Sequence, residues 1–288
     1  MVGFHDNDKD KFMSNITVVT AFFDIGRSNW NKTSHGIDTP HYIPRSTESY
    51  FSYFENLAKI RNDMIVYCSE EHAEIISKIR EKQSPGSRTV VVPLDFSEIV
   101  KSAKPVIERI QSRREYIEFV NDPRMPEYWN ADYVLVNYLK TDFVVGAYER
   151  DQIKTNIAAW LDFGYVRSEK TLPKSNIWDY DFDPNKMHYF NKKDIDFGRP
   201  IFDIIRHNDV YIMGCHLVGG KEAWFRQLSY NKQSLSSMIN CGLIDDDQTV
   251  LLMNYKMNPN DFELHPINVK REEWDEWNIA MLKFNKET

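Results

Sequence analysis

The sequence predicts an α/β fold: an open, mostly parallel mixed sheet flanked by helices. Three observations carry this. The first third of the chain alternates strand, helix, strand, helix, strand, a pattern that right-handed crossovers turn into a parallel sheet. A charge-free run, Ile157 to Leu161, follows a long helix and reads as a strand covered on both faces. That run ends in Asp162-Phe163-Gly164, at the strand end where open α/β sheets bind ligands.

The elements follow in order. Ile16 to Phe23 is β-branched and aromatic, a buried first strand. Asp24-Ile25-Gly26-Arg27 is a polar loop, and residues 28 to 44 are irregular. Ser46 or Thr47 caps a helix whose apolar positions are Tyr50, Phe51, Phe54, Leu57 and Ile60. Asp63 to Cys68 is a second strand, Ala73 to Arg80 a helix and Thr89 to Leu94 a third strand. One helix is expected from about Phe96 to about Phe119, ended by Asn121-Asp122-Pro123. A strong helix runs from Ala131 to Glu149 and feeds the strand before Asp162. Further on, Lys186 to Phe190 and Val210 to Gly214 read as strands, and Gly219-Gly220 interrupts the chain. Ala223 to Ile239 is an amphipathic helix, Asp245-Asp246-Asp247-Gln248 opens another, Phe262 to Pro266 is extended, and Arg271 to Lys283 is a Trp-bearing helix.

Composition narrows the function classes. Hydrophobic residues are 42% and aromatics 14% of the 288 residues, enough for a substantial core. The net charge of -7 gives no basic footprint for nucleic acid. The 3 cysteines contain no C-x-x-C pair, so neither a zinc module nor a disulfide framework is implied, and reduced cytoplasmic thiols are expected. The polar start is no signal peptide. No apolar run reaches the length of a transmembrane helix. Cytoplasmic placement is expected, with attachment at the cytoplasmic face of the inner membrane left open.

Asp162 is the first candidate residue. A carboxylate at a strand end can hold Mn²⁺ or Mg²⁺ on a nucleotide diphosphate, because phosphates and water complete the shell; the plainer reading is a cap on the turn. Gly164 lets the backbone approach a ligand. Asn137 and Lys140 share a helix face, and Lys140 could neutralise a phosphate or simply pack its stem. The run Asp245 to Asp247 suits a helix N-terminus electrostatically, yet exceeds what capping needs. Asp247, with Asp246 second, is the candidate general base. His265, or His216, is a candidate further metal ligand beside Asp162. Asp181-Phe182-Asp183 is a literal D-x-D without a strand leading into it, and reads as a decoy. There is no G-x-S-x-G, H-E-x-x-H, G-x-x-x-x-G-K-[ST] or G-x-G-x-x-G, which argues against a Rossmann dehydrogenase or a P-loop kinase.

Several stretches together resemble one family. Ile16-Thr17-Val18-Val19-Thr20-Ala21-Phe22-Phe23-Asp24-Ile25-Gly26-Arg27 resembles the opening of the HtrL/YibB family of bacterial proteins. Trp160-Leu161-Asp162-Phe163-Gly164 resembles its W-[IL]-D-x-G segment. Gly219-Gly220 before an aromatic helix, then Asp246-Asp247-Gln248, is similar to its later motifs. The likeness spans residues 15 to 265.

The resemblance implies a GT-A-like, hexosyltransferase-like glycosyltransferase of lipopolysaccharide or capsule synthesis. Residues 1–14 would be a flexible N-terminus. Residues 15–288 would form a single domain, with a Rossmann-like nucleotide-sugar half over 15–165 and an acceptor half over 166–288. The donor would be a nucleotide sugar, a UDP-sugar foremost, and the acceptor a glycan or lipid-linked glycan. Asp162 takes the place of the D-x-D that binds Mn²⁺ or Mg²⁺ in such enzymes, with Gly164 where the second Asp would stand. Thr20, Ala21, Phe22 and Arg27 would contact the nucleoside, and Asn137 and Lys140 would face the nucleotide. Two rivals remain: a non-catalytic glycan-assembly protein on the same fold, and a nucleotidyl or phosphosugar transferase. The latter typically has a glycine-rich basic loop after the first strand, which Asp24 to Arg27 matches poorly.

Overall fold

The computed structural model describes residues 14–267 and 278–286. A seven-stranded sheet runs in the order β3-β2-β1-β4-β6-β5-β7. Strands β1 (Ile16–Phe22), β2 (Met64–Cys68), β3 (Thr89–Pro93) and β4 (Ile157–Leu161) are mutually parallel, β6 (Ile212–Gly220) is antiparallel to β4 and β5 (Met187–Asn191), and β7 (Phe262–Pro266) pairs parallel with β5. The expected α/β architecture with a mixed, mostly parallel sheet is what forms.

The helices flanking the sheet have clear local causes. α1 (Thr47–Leu57) starts where the Ser46 side chain accepts from the Ser49 amide. α2 (Glu70–Gln83) places two acids in its first turn and basic residues in its last. The single helix expected from Phe96 to Phe119 is three: α3 (Phe96–Val100), α4 (Lys104–Gln111) and α5 (Arg114–Phe119). Pro105 lies in the first turn of α4, where its missing N–H costs nothing, but a helix running through it from α3 would lose a bond and clash. α6 (Ala131–Glu149) is capped by Asn130 and runs to the expected end.

In the second half, α7 (Ile201–His207) lay outside the sequence expectations. β6 extends through Gly219-Gly220, so the glycines end a strand instead of interrupting the chain: Val218, Gly219 and Gly220 pair with Ala159, Ala158 and Ile157, and a Cβ at Gly220 would strike the Pro184 backbone. α8 (Lys221–Asn240) and α9 (Asp247–Met257) follow. Of the expected tail helix, α10 (Ala280–Lys283) is described and residues 271 to 277 lie outside the described residues. The expected flexible stretch 1–14 lies outside them as well, save Ser14.

Two apolar layers cover the sheet. Phe54, Leu57, Ile76, Leu161 and Trp178 are buried on one face, and Phe143, Trp160, Tyr189, Trp224 and Leu251 on the other. The charge-free β4 is fully buried, as its composition requires. Among the described residues, no helix is long and apolar enough to cross a membrane.

Candidate active site

The C-terminal ends of β1 and β4 open into a cavity of about 750 Å³. Its walls come from the β1 end (Ala21 to Arg27), the segment His41 to Tyr50, helix α6, the turn after β4 and the start of α9.

The floor is built around Asp162. A strand has a side-chain period of two, so Trp160 and Asp162 share a face, and the Trp160 indole N–H donates to Asp162 Oδ1 at 2.8 Å. The turn itself is closed by backbone, with Tyr165 N–H donating to the Asp162 carbonyl at 2.8 Å. The carboxylate is therefore not needed as a turn cap. Phe163 stacks on Phe54 with centroids 4.2 Å apart, which anchors the turn in the core.

Lys140 reaches the same floor from α6. Its ammonium lies 3.1 Å from Asp162 Oδ1, 2.8 Å from Asp247 Oδ2 and 3.0 Å from the Gly214 carbonyl. Three donors meet three acceptors, so the group is saturated. Burial alone would strip this charge, but Asp162 and Asp247 outweigh it and raise the ammonium above the ordinary lysine value. Gly214 makes the arrangement possible: a Cβ there would collide with both Asp247 carboxylate oxygens.

Asp246 and Asp247 divide their work. Asp246 caps α9, its Oδ1 accepting from the Gln248 amide at 2.9 Å, and it lines the cavity half-buried. Burial, followed by the charges of Asp245 and Asp247, pushes its carboxyl well above the ordinary range. Asp247 is buried against Lys140, and burial prevails over that ammonium to raise it as well. Asp245 accepts from the Thr249 hydroxyl at 2.7 Å and does not line the cavity.

Another part of the lining is basic. Arg27 donates from Nε to the Ile43 carbonyl and from Nη1 to the Tyr50 hydroxyl, both at 2.8 Å, and lies over the Trp30 and Tyr133 rings. Arg45 lies 5.5 Å from the Tyr50 centroid and Arg167 5.9 Å from that of Tyr53. Among the described residues, no carboxylate pairs with any of the three. Burial lowers the Arg45 guanidinium, and the Arg27 and Arg167 charges add to this against the pull of Tyr50. Three mutually repelling cations thus face one cavity.

Ala21, Phe22, Arg27, Asn137, Lys140, Asp162, Gly164, Asp246 and Asp247 all line the cavity. Two expected residues do not. Thr20 is fully buried inside β1, its hydroxyl without a hydrogen-bond partner; the strand reaches the cavity only from Ala21 onward. His265 lies on β7 beside His188 and Glu263, apart from Asp162. His216 is buried against Tyr165, Trp178 and Phe190. The sequence reading missed Arg45, Arg167 and Gly214. Arg45 stands between the stretch read as irregular, residues 28 to 44, and the helix cap at Ser46 or Thr47, and Gly214 acquires its meaning only when α9 packs against β6.

The Mn²⁺ or Mg²⁺ implied at Asp162 does not fit the residues present. Lys140 already bridges Asp162 and Asp247, and a dication there would sit beside a held ammonium. A Cβ at Gly164 would lie 3.3 Å from Tyr53 Cδ2 and 3.4 Å from Tyr50 Cδ1, so a second carboxylate there would need these rings to give way by a few tenths of an ångström. Lys140, expected to meet phosphate, is also spent on the two carboxylates and a carbonyl.

Comparisons with known proteins agree with the motifs. A sequence model of the HtrL/YibB family, bacterial proteins of unknown function, matches residues 14–279. Protein HtrL of Escherichia coli (strain K12) is 35% identical over 260 residues, covering 88% of each chain. Among solved structures, apo mouse xyloside xylosyltransferase 1 aligns at TM-score 0.42 and 10% identity, over 87% of this chain and 84% of that one. The inositol-1-phosphate CTP transferase from T. maritima aligns at TM-score 0.40 and 10% identity, over 92% and 96%. Both structural likenesses are too weak to bear on chemistry. The motif at Trp160 to Gly164, the opening strand and the match across nearly the whole described chain agree: the protein belongs to the HtrL/YibB family.

Proposed function

We propose that the protein is a glycosyltransferase that moves a sugar from a nucleoside-diphosphate sugar to a hydroxyl of a glycan acceptor. One observation carries the reading: a single cavity at the ends of β1 and β4 gathers three guanidiniums that have no carboxylate partner among the described residues, together with a floor of carboxylates. Guanidinium groups match phosphate oxygens in charge and geometry. Carboxylates match sugar hydroxyls, which donate.

The roles follow from position. Ala21, Phe22 and Asn137 line the nucleoside end. Arg27, Arg45 and Arg167 hold the diphosphate and take up the charge that grows as it departs. This replaces the expected reliance on a divalent cation. Asp162 and Asp247, aligned by Lys140, accept from donor-sugar hydroxyls. Asp246 is the base, ahead of Asp247, because its Oδ2 is not used by the helix cap and Asp247 is tied to Lys140. The acceptor oxygen attacks the anomeric carbon, the bond to the diphosphate breaks, and the acceptor proton passes to Asp246. The resemblance supplies lipopolysaccharide or capsule as the acceptor class and a UDP-sugar as first candidate donor.

Calorimetric titration with UDP, GDP, ADP and CDP tests the reading. One diphosphate is expected to bind at least about tenfold more tightly than its monophosphate, a single added phosphate contact being worth roughly 1.5–3 kcal/mol. Failure of all four at millimolar concentration would favour a glycan-binding protein without a nucleotide donor.

A further inference from the structure

We propose that His188, Glu263 and His265 form a zinc site on the outer strand pair β5–β7, separate from the cavity. None of the three lines the cavity, so the site stands or falls independently of the proposed transferase activity.

Strand geometry assembles the set. β5 and β7 are parallel, with His188 opposite Glu263 and Phe190 opposite His265. Residues two apart on a strand share a face, so the three side chains converge. His188 Nδ1 and His265 Nε2 are 2.9 Å apart. Glu263 Oε2 is 3.7 Å from the first and Oε1 3.9 Å from the second. Ligand atoms around tetrahedral zinc, with bonds of about 2.0–2.1 Å, lie about 3.3 Å apart. Small side-chain shifts therefore bring all three atoms into ligating positions.

The surroundings prepare His188 for this role. Its Nε2 lies 2.9 Å from the Asp183 carbonyl, which can only accept, so Nε2 carries the hydrogen and Nδ1 presents its lone pair inward. A carbonyl on the far nitrogen is the usual outer support of a metal-bound histidine. Phe182, Phe190 and Phe284 pack around the two imidazoles. Both histidines are buried, while Glu263 is 47% exposed by side chain and leaves an opening to solvent. Water would complete the tetrahedron there.

Two imidazoles and one carboxylate favour zinc over the hard cations that oxygen sites select. β7 is the last strand of the sheet and joins only β5. An ion bridging His188 to Glu263 and His265 would tie this edge to its neighbour.

The test uses the full chain, freed of metal on a chelating resin, then titrated with Zn²⁺ and separately with Co²⁺. One equivalent of zinc should bind and raise the melting temperature, and Co²⁺ should give the visible absorption of a tetrahedral complex. His265→Gln and Glu263→Gln should each weaken zinc binding at least about tenfold, the size of a lost ligand or outer partner. Asp162→Asn should leave it unchanged. The exposed Glu263 keeps the test usable should His265→Gln fail to fold. The proposal is overturned if the wild type takes up no zinc, if Glu263→Gln binds it as tightly, or if the zinc is lost with Asp162→Asn.

Discussion

The two walls of the cavity use charge in opposite ways. On the floor, the Lys140 ammonium is matched by Asp162, Asp247 and the Gly214 carbonyl, and every donor is spent. On the basic wall, Arg27, Arg45 and Arg167 rest on aromatic rings, carbonyl and hydroxyl oxygens, with no carboxylate among the described residues within ion-pair distance. A satisfied buried network holds a shape. Cations gathered without counter-charge repel one another and gain when an anion arrives. The floor is therefore read as pre-organised scaffold with hydroxyl-binding edges, and the wall as the part that awaits its ligand.

The largest effect should come from breaking the floor. Lys140→Met removes the one cation between two carboxylates that are both close to it, and leaves Asp247 buried without a counter-charge. Removing one partner of a buried pair costs about 3–5 kcal/mol. Urea unfolding should show a loss of that size at neutral pH. The loss should shrink in the double variant with Asp247→Leu, because the stranded charge is then gone as well. A Lys140→Met protein as stable as the wild type would show that the network is not what holds the floor.

The acids behind the floor give the next effect, through pH. Burial, only partly offset by a hydrogen bond from Asn208 and the Arg27 charge, raises the Glu127 carboxyl from 4.5 to about 7. Between those values the folded state keeps a proton that the unfolded chain releases. Stability contributed by this group is therefore complete at the acid end of that window and falls as pH rises through it. Asp245 and Asp246 are raised too and act in the same direction. Glu127→Gln should remove its share, on the order of 2–3 kcal/mol. The wild type should lose stability relative to the variant from pH 5 to pH 8, read as the difference between their melting temperatures. A difference that stays flat across that range would place the Glu127 proton elsewhere.

These residues also mark how much could be read before the fold was known. The parallel strands were legible because β-branched runs alternate with helical spacing. Asp162 was legible because an uncharged strand ends in it. Its partner was only half legible: Lys140 was singled out by its helix face, but its saturation by Asp247 depends on α9 docking over Gly214, at a sequence separation no local pattern spans. His265, expected beside Asp162, lies apart from it, since strand order, which puts β7 next to β5 and away from β4, is not a local property. Arg45 and Arg167 carried no signal, as isolated arginines in loops are ordinary surface residues until a third dimension brings them to one wall. The break between α3 and α4 was written in the chain at Pro105 and was passed over.

The basic wall should respond to substitution with little cost to the fold and a specific cost to binding. Arg167 is exposed and Arg45 half-buried, so Arg167→Ala and Arg45→Ala should each leave the melting temperature nearly unchanged. Each removes one charge-assisted contact to a diphosphate, worth roughly 1.5–3 kcal/mol or about ten- to a hundredfold in Kd. Removing Arg45 also relieves repulsion on Arg27 and Arg167, so its loss should fall toward the lower end of that range. The affinity of the wild type for the diphosphate should decline with added salt, and that decline should be shallower in either variant. Affinity should also be nearly the same with Mn²⁺ and without it, because Lys140 holds the place between the carboxylates. A strong gain on adding Mn²⁺, lost in Asp162→Asn, would mean that the ammonium yields to a dication when the donor binds, and the floor would then join the wall as part of the diphosphate site.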